Sequence, residues 1–572
     1  MIAAFHPAAG RLSKSLLLSL VIVPAFHTAA LAQTPQVRDP NSVLVSPPPV
    51  PPAAQPEPPV FQQDIEVPSV EPALDFIFER VRVVGATGLP DSEVAAPFAP
   101  MFGRRATLAE LRAALDEVNR RYLASDFALS RAFIPAQAVQ DGTLTVRIVE
   151  GYIGEIRVDA ETEDRRQLVL RFGNTVLSER PLRTSTLQRY LLTLRDVPGL
   201  TVGSRIAAFN VNSGAAVLAI SADLRPFSMS SSVDHRARLE GLPVQLFVGG
   251  TLNNPFGWGD QLSLVTLATN DPRENHFLQG SYAAMIGSRG ARILASASIA
   301  RLHADEVVPG VTLVSSSRRY AANFSYPLIR TVEQSLNAVV GAYYTSSDHE
   351  FSGIRLLEDE LLAAVAEAQY FRRLGEDWAA SVALRLTQGL DFFGIGETVL
   401  PHTRPGTTQD FTKLRATASL SYRATERLSF VLSSDAQYSP VSLLSAEEIT
   451  FGGSRFGRGY DQAEIGGDRG YAVSLQSQYR FPIGESKLWS LMPYAFADYA
   501  QAFNTPSSGP DSADLIFGGA RHLDLERTER FCGTRGGQTA DEDPEARGRQ
   551  GLALLLHAPV PLLKHSTRSS MA

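Results

Sequence analysis

The sequence predicts an all-β transmembrane barrel preceded by two small α+β modules. Three observations carry this prediction. An apolar export segment opens the chain, one order of strands and helices occurs twice in succession, and about fourteen alternating segments follow between Phe227 and Phe503.

Residues 1–32 read as a signal peptide. Arg11 and Lys14 supply a basic start, Ser15–Phe26 is a short apolar run, and Ala30-Leu31-Ala32 is a small-residue cleavage pattern ahead of Gln33. Residues 33–74 read as a proline-rich linker; the stretch Ser46–Val60 favours extended, semi-rigid polyproline geometry.

The first module is expected over 75–151. A strand ending near Gly85 is followed by a short helix and then a long amphipathic one. Leu108, Leu111, Leu115, Val118 and Tyr122 recur there at spacings of three and four, and Thr107 with Glu110 forms a capping box. Two strands follow, one over Ala128–Gln137 and one over Gly142–Ile153, with Asp141-Gly142 as the turn between them. The second module, 152–226, repeats the order, with Leu187, Tyr190, Leu191 and Leu194 on one face of its second helix. Small modules of this kind expose sheet edges that invite strand addition by another chain.

The barrel is expected over 227–515. Helical periodicity fades there and period two takes over. Leu336, Ala338, Val340, Ala342 and Tyr344 alternate with Ser335, Asn337, Val339, Gly341, Tyr343 and Thr345. Leu428, Phe430 and Leu432 oppose Arg427, Ser429, Val431, Ser433, Asp435 and Gln437. Tyr471, Val473, Leu475, Tyr479 and Phe481 oppose Ala472, Ser474, Gln476, Gln478 and Arg480. A soluble sandwich could show the same alternation, with the apolar face as its core. The number of segments exceeds one ordinary sandwich. The lone Cys532 allows no internal disulfide framework in an exported chain. Closure into a barrel satisfies every backbone group against membrane lipid. A mean hydropathy of −0.04 fits, because a barrel hides its apolarity in alternate residues.

Other function classes find no support. The net charge of −7 disfavours nucleic-acid binding. No later apolar run is long enough for a transmembrane helix. The histidines show no metal-ligand spacing, and no phosphate-binding loop or serine nucleophile elbow occurs. His276 and His402 read as loop or surface residues, and Glu447-Glu448 as a solvated strand end. No catalytic residue, metal or cofactor is expected, and the chain is not expected to be an enzyme.

The stretch Ile449–Phe481 brings in a resemblance. Gly457-Arg458-Gly459-Tyr460 is similar to the Val-Arg-Gly-Tyr-like loop motif of two-partner secretion transporters of the haemolysin-activator type, with glycine where valine is frequent. Phe496, Asp498 and Ala500 are similar to the family's Phe-x-Asp-x-Gly strand, with alanine for the last glycine, which narrows the space beside the loop. Gly249–Leu264 resembles the first barrel hairpin, and Asn323–Arg330 a middle strand. The modules resemble polypeptide-transport-associated (POTRA) domains.

The resemblance implies a barrel of about 16 strands in the outer membrane with both POTRA domains in the periplasm. It implies a loop folded into the lumen and held by Arg458 on Asp498. It also implies a secreted exoprotein of adhesin or haemolysin type as the partner, outer-membrane lipid around the wall, and a monomer. A barrel-assembly factor of the same superfamily is the alternative. The segment 516–572 departs from the pattern: two more alternating strands are implied, and the residues instead read as a charged, atypical tail.

Overall fold

In the computed structural model the described residues are 77–505, except 136, 138–140, 211, 235–244, 270–274, 309, 393, 397, 461 and 484–488, together with 512–521, 525–527 and 560–567. The expected signal peptide, proline-rich linker and Cys532 lie outside them.

The first module runs β1 (Arg80–Val84), α1 (Asp91–Ala95), a 3-10 turn (Ala96–Met101), α2 (Leu108–Ala124), β2 (Arg131–Phe133) and β3 (Thr143–Val149). β3 lies in the middle of the sheet, parallel to β1 and antiparallel to β2. α2 buries Leu111, Ala114, Val118 and Tyr122, the residues that its 3.6-residue period stacks on one face. The strand expected over Ala128–Gln137 shrinks to three residues. Pro135 lacks a donor, and the Gln137 side chain takes over the pairing: its Oε1 accepts from Thr145 N at 2.8 Å and its Nε2 donates to Thr145 O at 2.7 Å. The strand expected over Gly142–Ile153 breaks at Glu150-Gly151. The Glu150 carboxylate accepts from the Thr87 and Gly88 amides, and a Cβ at Gly151 would meet Leu129 O at 2.5 Å.

Thr107 and Glu110 close the capping box reciprocally at the start of α2. Arg104 first, then the Thr107 amide and hydroxyl, hold the Glu110 carboxyl at about 2, below its ordinary 4.5. A depressed folded value means stabilisation that is complete above the unfolded value and lost as pH falls from about 4.5 to about 2. Protection of the first-turn amides of α2, taken as exchange relative to the intrinsic rate at the same pH, is therefore expected to fall across that window in the native chain. In Glu110→Gln the pH dependence should vanish; an unchanged profile would refute the assignment.

The second module runs β4 (Tyr152–Ala160), α3 (Glu163–Arg171), α4 (Asn174–Ser178), α5 (Thr184–Arg195), β5 (Leu200–Phe209) and β6 (Ala215–Leu224). Its sheet repeats the first topology, with β6 central, parallel to β4 and antiparallel to β5. The short α4 is additional to the expected order. The two modules are tied together. Asp126 accepts from the Ser185 amide at 2.9 Å, and Leu182 N donates to Gly151 O at 2.9 Å. The second module is also tied to the barrel. Arg330 reaches Asp196 in two bonds of 3.0 and 2.5 Å, Arg292 donates to the Asp196 carbonyl, and Arg189 to that of Pro327. Met285 of the wall joins the module's own core beside Phe172.

The wall is built from β7 (Phe227–Asp234), β8 (Gln245–Asn253), β9 (Gln261–Thr269), β10 (Asn275–Ile286), β11 (Ala291–Val308), β12 (Val311–Arg330), β13 (Gln334–Phe351), β14 (Ile354–Leu374), β15 (Trp378–Leu390), β16 (Thr412–Arg423) and β17 (Leu428–Tyr438). β18 (Ile449–Phe451) and β19 (Ile465–Gly467) form a separate hairpin. The wall continues through β20 (Arg469–Tyr479), while β21 (Phe481–Ile483), β22 (Trp489–Leu491) and β25 (Leu525–Arg527) make a small sheet of their own. β23 (Tyr494–Phe503), β24 (Ser512–Arg521) and β26 (Val560–Thr567) complete an antiparallel sheet of fifteen strands among the described residues. Thirteen of these fall between Phe227 and Phe503, one fewer than the alternation predicts.

β24 runs past position 515, and β26 pairs with it within the segment read as an atypical C-terminal tail. A register shift between Gly518 and Gly519 accompanies Pro561 of β26, which has no ladder donor to offer.

Burial along the wall is inverted relative to a soluble core. On β20, Tyr471 and Leu475 are 41% and 51% exposed, whereas Ala472 and Ser474 are 0% and 5%. On β17, Asp435 and Gln437 are buried and Leu432 is exposed. The apolar face points outward, as lipid requires, and the polar face points into a filled lumen.

Candidate functional site

The chain between β17 and β20 folds back against the inner face of the wall, with the β18–β19 hairpin at its base. Beyond the hairpin, Gly457 adopts φ 73°, in the left-handed region, where a glycine carries no Cβ penalty. Tyr460 N donates to Gly457 O at 2.9 Å, and Gly459 lies in the turn between them. Gly453 N donates back to Tyr460 O at 3.2 Å, which closes the tip.

The tip rests on the β20–β23 ladder. Ser474 pairs with Asp498, Gln476 with Phe496 and Ala472 with Ala500, so all six side chains share the inward face. Arg458 Nε and Nη2 donate to the two oxygens of Asp498 at 3.0 and 2.8 Å. The Gly457 and Arg458 amides add bonds to Oδ2 at 3.1 and 3.2 Å. One carboxylate thus accepts two guanidinium and two backbone N–H groups, a geometry that lysine's single ammonium cannot copy. Nη2 also donates to Ser474 Oγ at 2.7 Å, and Nη1 to Gln476. The guanidinium lies 3.7 Å from the Phe496 ring centroid, a cation–π contact. The Arg458 side chain is 9% exposed and that of Asp498 0%. Tyr460, Phe456, Ile449, Phe451, Ile465 and Phe496 pack around the pair, with Ala500 fully buried beside Ala472. The structure therefore brings all the sequence-predicted site residues together.

Other polar groups were not legible as a site. Glu447 and Glu448, expected as a solvated strand end, are buried, because Leu443 and Leu444 draw their segment into the lumen. Glu447 accepts from Tyr343 Oη at 2.7 Å and pairs with Lys413 Nζ at 2.6 Å. His276 lies within β10 rather than in a loop, and His402 stands 3.3 Å from Asp359. These groups are scattered over four strands and two connections and share no spacing. Among the described residues no cluster of His, Cys, Asp or Glu is arranged to hold a metal ion.

Residues 216–524, more than half of the chain, match the family model described as haemolysin secretion/activation protein ShlB/FhaC/HecB. The chain belongs to this family. Residues 76–151 match the ShlB-type POTRA domain. Among the family's relatives, the heme/hemopexin transporter protein HuxB of Haemophilus influenzae (strain 86-028NP) is 22% identical over 69% of this chain and 70% of its own length. Outer membrane transporter CdiB of Escherichia coli O6:K15:H31 is 22% identical over 69% and 67%. The solved structure of CdiB from Escherichia coli superposes with a TM-score of 0.66 at 19% identity, covering 84% of this chain and 88% of that one. CdiB from Acinetobacter baumannii gives 0.58 at 17% identity, covering 81% and 89%. The protein is thus an outer-membrane two-partner secretion transporter of the ShlB/FhaC/HecB family that translocates a secreted partner protein, with POTRA modules on the periplasmic side.

Proposed function

We propose that both POTRA modules capture a large unfolded exoprotein of adhesin or haemolysin type by adding its segments to their sheet edges. The barrel then passes the chain outward in extended form. The inward loop closes the conduit at rest. The single observation that carries this reading is the buried Asp498 carboxylate, whose four N–H partners all come from the loop tip. Such a contact holds a loop firmly only where water is excluded. The protein acts as a monomer in a shell of outer-membrane lipid and performs no catalysis; folding of the cargo outside supplies direction. An assembly factor typically carries more than two modules, and a passive porin needs none.

Co-expression with a large exported protein of adhesin or haemolysin type as candidate cargo tests this reading. The cargo is expected in the medium when the transporter is present and in the periplasm when it is absent. Cargo retained in both cases, or a general loss of other outer-membrane barrels on depletion, would favour the assembly role.

A further inference from the structure

The described part of the connection between β15 and β16 over 398–411 is tied into the lumen. We propose that it is a strap across the outer mouth of the conduit and that Arg404 is the positioning residue fastening it to the neck of the inward loop. The proposal rests on the reading that this loop occupies the conduit.

Two consecutive residues of the connection are tied to distant parts of the wall. Thr403 N donates to Asp359 Oδ1 on β14 at 3.0 Å, and Thr403 Oγ1 donates to Oδ2. Arg404 Nη1 donates to Asp468 Oδ1 and to Leu443 O, both at 2.6 Å, and Nη2 donates to Asn504 Oδ1 at 3.0 Å. Glu448 Oε1 stands 3.3 Å from the same guanidinium. Asp468 joins β19 to β20, and Asn504 follows β23. In the sheet, β15, β16 and β17 separate β14 from β20. Four steps at about 4.8 Å make a path of about 19 Å along the wall. Adjacent residues bridge that distance only by crossing the concave side.

The crossing is packed as well as tied. Phe411, at the end of the connection, is buried together with Leu443 and Leu444 of the inward loop's neck and with Tyr343, Leu361, Ala363 and Val365 of the inner face. Asp468 is a junction in its own right. It accepts from the Leu443 amide at 2.8 Å, and from the Thr505 amide and hydroxyl at 2.7 and 2.6 Å. The Arg404 side chain is 8% exposed and that of Asp468 0%. Arg458 holds the loop by its tip. Arg404 holds the same loop by its neck and couples it to the outer connection, so an emerging chain has two separate fastenings to release.

Ion conductance of the purified full chain in planar bilayers tests the strap. In Arg404→Ala the probability of large openings should rise about tenfold or more, the consequence of leaving Asp468 buried without its cation. Heat-modifiable migration of the barrel should be unchanged. Arg404→Lys, which keeps the charge without the fork, should fall between. If Arg458→Ala raises conductance and Arg404→Ala does not, the strap is refuted and the inward loop stands. If neither does, both readings fail. Should Arg404→Ala fail to insert, Thr403→Val loosens the opposite end; a wild-type trace from that variant would overturn the proposal.

Discussion

Replacing Arg458 by alanine is expected to reduce secretion of the partner about tenfold or more while leaving the barrel inserted. An exposed ion pair contributes roughly 0–1 kcal/mol, too little to hold a loop. Arg458 and Asp498 are in the other regime, 9% and 0% exposed. Removing one member of a buried pair costs about 3–5 kcal/mol, because the remaining charge keeps its desolvation penalty without compensation. The Gly457 and Arg458 amides survive the substitution and offset part of that cost. At about 1.4 kcal/mol per factor of ten, the seated population of the tip still falls by two orders of magnitude or so. Arg458→Lys should recover part of the function, since it restores charge but not the bidentate fork. Cargo in the medium and heat-modifiable migration of the barrel are the measurements to make. Normal export from a normally assembled Arg458→Ala barrel would remove the loop from the mechanism.

Val340→Lys is expected to block insertion, whereas Val339→Lys, one residue away, should be tolerated. Val340 is 54% exposed on the apolar face of β13. It lies six residues above Gln334 at the periplasmic end of that strand. At about 3.4 Å per residue and about 40° of tilt, that height is about 15 Å, near the middle of a band about 25 Å tall. A lysine at that depth costs about 2–4 kcal/mol. Val339 faces inward and pairs in register with Glu367 of β14, so a lysine there meets a carboxylate instead of lipid. Outer-membrane fractionation of the two variants provides the comparison. Equal yields would refute a lipid-facing Val340, and the opposite order would mean that the two faces of β13 are the other way round.

The fold was readable where one residue's neighbours decide its state. Leu187, Tyr190, Leu191 and Leu194 declare a helix face through local spacing, and all four are buried. The two faces of β20 are declared by alternation in the same way. The pair of Arg458 and Asp498 was readable only through family resemblance, since forty residues separate them and no periodicity links them. The Arg404 fastening was not readable at all. Its partners Leu443, Asp468 and Asn504 come from three different connections, and a solvated arginine would give the same letter in the sequence. The three-residue β2 was overestimated because a side-chain amide can replace a ladder, and a propensity argument does not see that substitution.

The salt link from Asp196 to Arg330 ties the second module to the wall, and the bonds joining Asp126 to Ser185 and Leu182 to Gly151 tie the two modules to each other. Under the proposed capture mechanism, these ties make the periplasmic half a guide rail fastened to the wall and not a swinging arm. On that mechanism a client would advance by sliding from one register to the next, drawn by whatever part of it has already reached the far side.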